Sequence, residues 1–198
     1  MKRKAMIALS AAFVLIALSS CSANLPFSGP EPERNVLTNL VGNNNKVIAV
    51  KIDDTSFSHP QEGLLDADVI FVTQVEAGLT RLMAVYSNKY PAQVGPVRSA
   101  RISDIDILAQ FGKVAFFYSG AQSKFLPIIK AANLFDIGAE HESPKLYTRD
   151  SNRLAPYNMI LSGVEAKQRI SELDVAKASN IGWSFGKLSN EGEKISAV

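Results

Sequence analysis

Arginines and carboxylates carry most of the chemistry legible in this sequence. Arg98, Ser99 and Arg101 stand just before Ser103-Asp104-Ile105-Asp106. That tetrad has the form of a helix-capping box with Asp in place of the usual Glu. A helix start there offers unpaired backbone N–H groups and the positive end of a dipole. Two guanidiniums beside it would complete an anion site for phosphate or carboxylate. The competing reading is that the arginines pair with Glu76, Asp104 or Asp106 and only fix a loop. Arg81 and Arg149 are candidate helpers of the anion site.

Asp53 and Asp54 close one apolar run, and Glu76 ends another. Ligands of open α/β sheets gather beyond the carboxyl ends of strands, where these oxygens could hold a divalent cation. Aspartate is also common in turns, where it bonds nearby backbone. The turn is the reading adopted, since no spacing matches a dedicated metal loop. No metal and no cofactor is expected. Arg149, Asp150, Asn152, Arg153 and Asn158 form a polar cluster on one loop. His59 and His141 are the only histidines and there is one cysteine, too few for the usual zinc sites. No Gly-x-Ser-x-Gly elbow, P-loop or dinucleotide fingerprint occurs.

Short apolar segments must position these groups. Residues 47–53 (VIAVKID), 68–76 (DVIFVTQVE), 79–87 (LTRLMAVYS) and 114–119 (VAFFYS) read as strands. Ala77-Gly78 joins the second and third as a hairpin. Helices are expected from Ser103 to Gly112, over 123–132, and over 163–173 with Ser162 as its cap. In the last, Val164, Ile170 and Leu173 make the apolar side. Strands interleaved with helices predict an α/β fold: a mixed sheet flanked by helices, in a single extracytoplasmic domain.

The extracytoplasmic placement comes from the first 21 residues. Lys2-Arg3-Lys4 precedes an apolar core from Ala5 to Leu18, which has signal-peptide length and is short for a membrane span. Leu18-Ser19-Ser20-Cys21 resembles a bacterial lipobox, in which the cysteine thiol receives a diacylglycerol and the signal is cut before it. This predicts a signal over 1–20, a tether over 21–45, a folded domain over 46–180 and a tail over 181–198. The tether contains Pro26, Gly29, Pro30, Pro32 and three consecutive asparagines, 43–45.

Composition sets the outer limits. Of 198 residues, 46% are hydrophobic and 20% charged, which excludes a disordered chain. One cysteine excludes a disulfide scaffold. The net charge of +2 becomes −1 without the three leader cations, so nucleic acid is not an expected partner.

The segments IAVKIDD, HPQEGLLDADVIFVTQVEAGLTRLMAVY, VGPVRSARISDIDILA, FFYSGA and TRDSNRLAPYN stand in an order that resembles the YerB-like bacterial lipoproteins. The resemblance covers about residues 46–162, and its most specific pieces are Gly95–Arg101 and Glu76–Arg81. Four positions differ from the family pattern. Ala77 and Leu79 stand in a segment usually read as Glu-Gly-Gly-Ile-Thr-Arg. His59 stands where arginine is usual, and Tyr157 where histidine is common. The resemblance implies an envelope protein whose relatives continue into a second, mostly β domain. The expected function is a membrane-anchored binding domain for an anionic envelope component or a partner protein. The alternatives are an enzyme acting on a phosphorylated glycan or lipid carrier, and a structural lipoprotein without ligand. Asp53, Glu76, Asp104, Asp150 and Asn158 are the expected polar supports of the arginines.

If Cys21 is the lipidated N-terminus, mass spectrometry of the mature protein shows acyl groups on it. Cys21→Ala should abolish processing and membrane retention. A variant processed and retained like wild type would overturn this.

Overall fold

The computed structural model describes residues 30–186. Cys21 and the lipobox lie outside them. The element order is β1 (Ile48–Asp53), β2 (Val69–Gln74), β3 (Thr80–Tyr86), β4 (Gln93–Val94), α1 (Ser103–Ala109), β5 (Ala115–Tyr118), α2 (Leu126–Ala131), β6 (Phe135–Gly138), β7 (Tyr147–Arg149), β8 (Met159–Ser162) and α3 (Gly163–Ser171). The central sheet has the order β2-β3-β1-β5-β6. β1, β5 and β6 are parallel, whereas β3 is antiparallel to both β1 and β2. A second sheet, β4-β8-β7, is antiparallel. This is the mixed α/β architecture expected. The strands β4, β6, β7 and β8 have no counterpart in the sequence reading. They are two to four residues long, too short to show a period.

The pleat sorts the side chains into two cores. Ile48, Val50 and Ile52 of β1 join Leu82, Ala84 and Phe117 on one face, against the second sheet and α3. Ala49, Met83, Val85 and Phe116 face the other way, against Leu108 and Phe111 of the α1 region and Ile129 of α2. β2 is an edge strand with alternating burial. The β2–β3 turn forms as expected, with both Ala77 (φ 59°) and Gly78 (φ 70°) left-handed. Only glycine takes that conformation without steric cost.

Three local expectations need correction. Ser103 does not cap α1: the N-cap is Ile102, with no side-chain cap bond. Asp104 is buried instead. Val164 is 68% exposed, and α3 buries Gly163, Ala166 and Ile170. Its cap is as expected, the Ser162 hydroxyl accepting from the Glu165 N–H. Finally, residues 33–45, read from composition as tether, belong to the folded body. Leu37 is buried against the α1-side core. Buried Asn35 donates to Ser87 Oγ at 2.8 Å and to the Asn43 carbonyl at 2.7 Å. Its carboxamide supplies the turn's missing partners, which composition alone does not reveal. At the other end, Ile181 packs on the α1-side core, Trp183 is half-buried and Phe185 is exposed.

On the Ala49 face of β1, opposite Ile48, Val50 and Ile52, lie two charged residues, Lys51 and Asp53, both fully buried. Lys51 Nζ meets Asp104 Oδ1 at 2.6 Å and donates to Thr73 Oγ1 at 3.0 Å. Burial pushes the Lys51 ammonium down and the Asp104 carboxyl up, and each charge opposes the shift of the other. Lys51→Met or Asp104→Leu should each lower stability by about 3–5 kcal/mol, because each leaves a buried charge unpaired. The double variant should lose much less than the two losses added. Urea unfolding of the four proteins measures this. Additive losses would show that the two charges do not depend on each other.

Candidate functional site

β1 and β5 pair directly only as far as Val50 and Phe117. Beyond that point the chain around Arg98 bridges them. The Arg98 N–H donates to the Lys51 carbonyl at 2.8 Å, and the Ser119 N–H donates to the Arg98 carbonyl at 3.0 Å. The Asp53 N–H donates to the Pro96 carbonyl, and the Ala100 N–H to the Gly120 carbonyl, both at 2.9 Å. The carboxyl-end crevice, where α/β sheets commonly hold ligands, is thus occupied by backbone that carries Arg98 into it.

Register brings the opposing charges. Asp53 pairs with Arg81 across β1 and β3, and Thr73 pairs with Arg81 across β2 and β3. Asp53 is the hub. Its Oδ1 accepts the Thr55 N–H at 2.7 Å and the Thr55 hydroxyl at 2.6 Å. Arg81 Nη1 lies 3.7 Å from the same oxygen. Arg98 Nε approaches Oδ2 at 2.5 Å. That contact joins charges but is poorly aligned, and neither atom has a hydrogen-bond partner among the described residues. Burial works to raise the Asp53 pKa. The Thr55 hydrogen bonds and the two arginines outweigh it, and the carboxyl titrates below the ordinary 3.8.

Arg98 and Arg101 differ in kind. Arg98 is one-fifth exposed. Its guanidinium lies 5.2 Å from the Tyr157 ring centroid, within cation–π range, and Tyr157 stacks on Phe57 at 5.3 Å. Its two terminal nitrogens make no hydrogen bond among the described residues. Arg101 is committed. It donates from Nε and Nη2 to Glu76 Oε2 at 3.0 and 2.8 Å, and from Nη1 to the carbonyls of Ser99 and Ala100 at 3.2 and 3.1 Å. The Arg101 hydrogen bond holds Glu76 below the ordinary carboxyl range. The loop-fixing alternative therefore describes Arg101, and the anion reading is left with Arg98 and Arg81. The α1 N-terminus adds nothing to an anion site. Asp104 turns back on it and accepts the Arg101 N–H at 2.7 Å.

The remaining candidates separate. Ser99 lends its carbonyl to Arg101. Arg149 donates to Asn158 Oδ1 at 2.7 Å, and Asn158 donates to the Asp150 carbonyl at 3.4 Å. This cluster secures its own turn rather than joining Arg98. Arg153 straps that turn to the loop after β1, bonding the carbonyls of Ser58 and Pro60 at 3.0 and 2.7 Å. The strap sets Tyr157 over Arg98. Asp54 accepts the Thr80 hydroxyl at 2.5 Å, and Glu76 faces Arg101. The three carboxylates are thus spent separately, and among the described residues no three His, Cys, Asp or Glu gather as metal ligands. Sequence reasoning passed over Lys51, Thr55 and Phe57. For Lys51 a signal existed, since it alternates in phase with Asp53. Thr55 and Phe57 carried none.

Fold and site together define the class: a mixed α/β domain with an arginine–aspartate cluster at the carboxyl ends of its parallel strands. The chain belongs to the family described as "Protein of unknown function (DUF3048) N-terminal domain", which matches residues 37–176. It is 33% identical over 76 residues to "Putative lipoprotein YerB" of Bacillus subtilis (strain 168), covering 38% of this chain and 21% of that one. The crystal structure of the YerB protein from Bacillus subtilis superposes with a TM-score of 0.63 at 25% identity, over 70% of this chain and 49% of that one. The chain thus spans half or less of the relatives it matches. Among the described residues no helix is long and apolar enough to cross a membrane.

Asp53 binds its proton less tightly in the folded state than an unfolded aspartate does. Its contribution to stability is therefore complete above the unfolded value of 3.8, and is lost as pH falls through the lower folded value. Asp53→Asn should be clearly less stable than wild type at pH 7, and the gap should narrow in acid. Equal stability at pH 7, or a gap that widens in acid, would contradict this account of the cluster.

Proposed function

We propose that this protein is a membrane-anchored lipoprotein whose extracytoplasmic domain binds an anionic envelope component through Arg98. The anchor is Cys21, and the lipoprotein name of its relative supports that part. The observation that carries the binding is the state of the Arg98 guanidinium: partly sheltered, backed by Asp53 and Tyr157, with its terminal donors unused. Arg81, Arg98 and Arg101 are matched in number by Asp53, Asp54 and Glu76, so the attraction for a carboxylate or phosphate oxyanion lies in the unused Arg98 donors and not in net charge. The arginine fork suits such an oxyanion by two parallel hydrogen bonds. Asp53 positions Arg98 and Arg81, and Thr55 keeps Asp53 ionised. Arg101 and Glu76 brace the loop. A binding role is preferred to hydrolysis because the three carboxylates that would serve as metal ligands or bases, Asp53, Asp54 and Glu76, are already committed.

Arg98→Lys keeps the charge beside Asp53 and loses the fork. It should weaken binding of inorganic phosphate or an acidic polysaccharide by ~tenfold or more, with the melting temperature nearly unchanged. Arg101→Lys should instead lower the melting temperature and leave binding nearly intact. Wild type that binds neither probe, or an Arg98→Lys variant that only loses stability, would leave Arg98 as a strut.

A further inference from the structure

A cavity lies at the opposite end of the sheet. It is lined by the residues just before β1, just after β3 and along α3, with a volume of about 690 Å³. β1 separates it from the arginine cluster by six residues at about 3.3 Å each. Its lining includes four lysines, Lys46, Lys89, Lys167 and Lys177, and no carboxylate. Lys46 is structural, donating to the carbonyls of Ile170, Ser171 and Leu173 at 2.9, 3.2 and 2.7 Å. It thereby closes the last turn of α3. Lys89 reaches Asp66 at 2.9 Å. Lys167 and Lys177 make no ion pair among the described residues, and Lys177 is held beside Lys46 by a β-bridge.

The floor is of another character. Tyr90, partly exposed above buried Pro91, presents apolar surface, and the Tyr90 hydroxyl is taken by the Lys46 carbonyl at 2.5 Å. The rim carries amides from the asparagine run. Asn45 donates to the Asn88 carbonyl at 3.1 Å, and the Asn43 N–H donates to Asn88 Oδ1 at 2.9 Å. The Asn43 side chain and Asn88 Nδ2 make no hydrogen bond among the described residues. Aromatic surface, amides with spare capacity and unpaired ammoniums suit one ligand chemistry: a sugar ring carrying a phosphate or carboxylate. The volume fits a sugar-sized ligand.

We infer that this lysine groove is a second binding site, for an anionic sugar, independent of the Arg98 cluster. The sugar's C–H face lies on Tyr90, its hydroxyls meet Asn43 and Asn88, and its charge is taken by Lys167 and Lys177.

The test is calorimetric titration of the full chain in a polyoxyethylene detergent, with four probes: glucose 6-phosphate, glucuronic acid, glucose and inorganic phosphate. Either anionic sugar should bind at least ~tenfold more tightly than glucose or phosphate alone. The comparison of glucose 6-phosphate with glucuronic acid tells phosphate from carboxylate. Lys167→Ser/Lys177→Ser should weaken that binding ~tenfold or more without lowering the melting temperature, as both side chains are exposed. Arg98→Lys should leave it unchanged. Phosphate binding to Arg98→Lys, in which the other site is weakened, as tightly as the sugar phosphate does, no binding of either anionic sugar, equal binding by the double variant, or loss of anionic-sugar binding in Arg98→Lys would each overturn the inference.

Discussion

Lys51 Nζ and Asp104 Oδ1 meet at 2.6 Å with both side chains out of contact with water, and the carboxyl end of the sheet is arranged around that meeting. A buried charge without a partner is far more costly than a buried hydrogen bond left unmade. The chain after β4 therefore has little freedom: it must bring Asp104 back over β1. In doing so it lays Arg98 against the Lys51 carbonyl and presents the Arg101 N–H to the second oxygen of Asp104. The Arg98 guanidinium, Asp53 and Arg81 then share one small volume.

The two ends of the sheet differ in chemistry for a topological reason. At the carboxyl end, the pleat puts Lys51 and Asp53 on one face, and register adds Arg81 and Thr73. Charges there are dense, mostly paired and mostly buried. At the amino end the strands begin from loops, and cations stand along α3 and the chain before β1 with few partners. The first arrangement gives orientation through rigid arginine forks. The second leaves Lys167 and Lys177 without ion pairs among the described residues.

Tyr157 has a definite place in this scheme. It lies between Phe57 and Arg98, within cation–π range of the guanidinium. His59 is half-exposed, with Asp54 Oδ1 at 3.6 Å. Both residues lie on loops held together by Arg153, at the rim of the site and not in the sheet beneath.

Amino-acid sequence by itself determined β1, β2, β3 and β5, the β2–β3 hairpin, the cap at Ser162 and the mixed α/β class, because each rests on local periodicity or local backbone chemistry. It also marked Arg98, Arg101, Asp53 and Glu76 as the residues to watch. Tertiary structure decided what they do. Arg101 and Glu76 are 25 residues apart and pair because the hairpin and the loop before α1 converge. Lys51 and Asp104 pair across 53 residues. The short strands β4, β6, β7 and β8 take their hydrogen bonds from partners distant in sequence or equally short, which no local pattern marks. The asparagine run read as tether folds because Asn35 finds Ser87, 52 residues away. Local propensity is written in neighbours along the chain. Which charge meets which is settled by register and crossover, and those are properties of the assembled sheet.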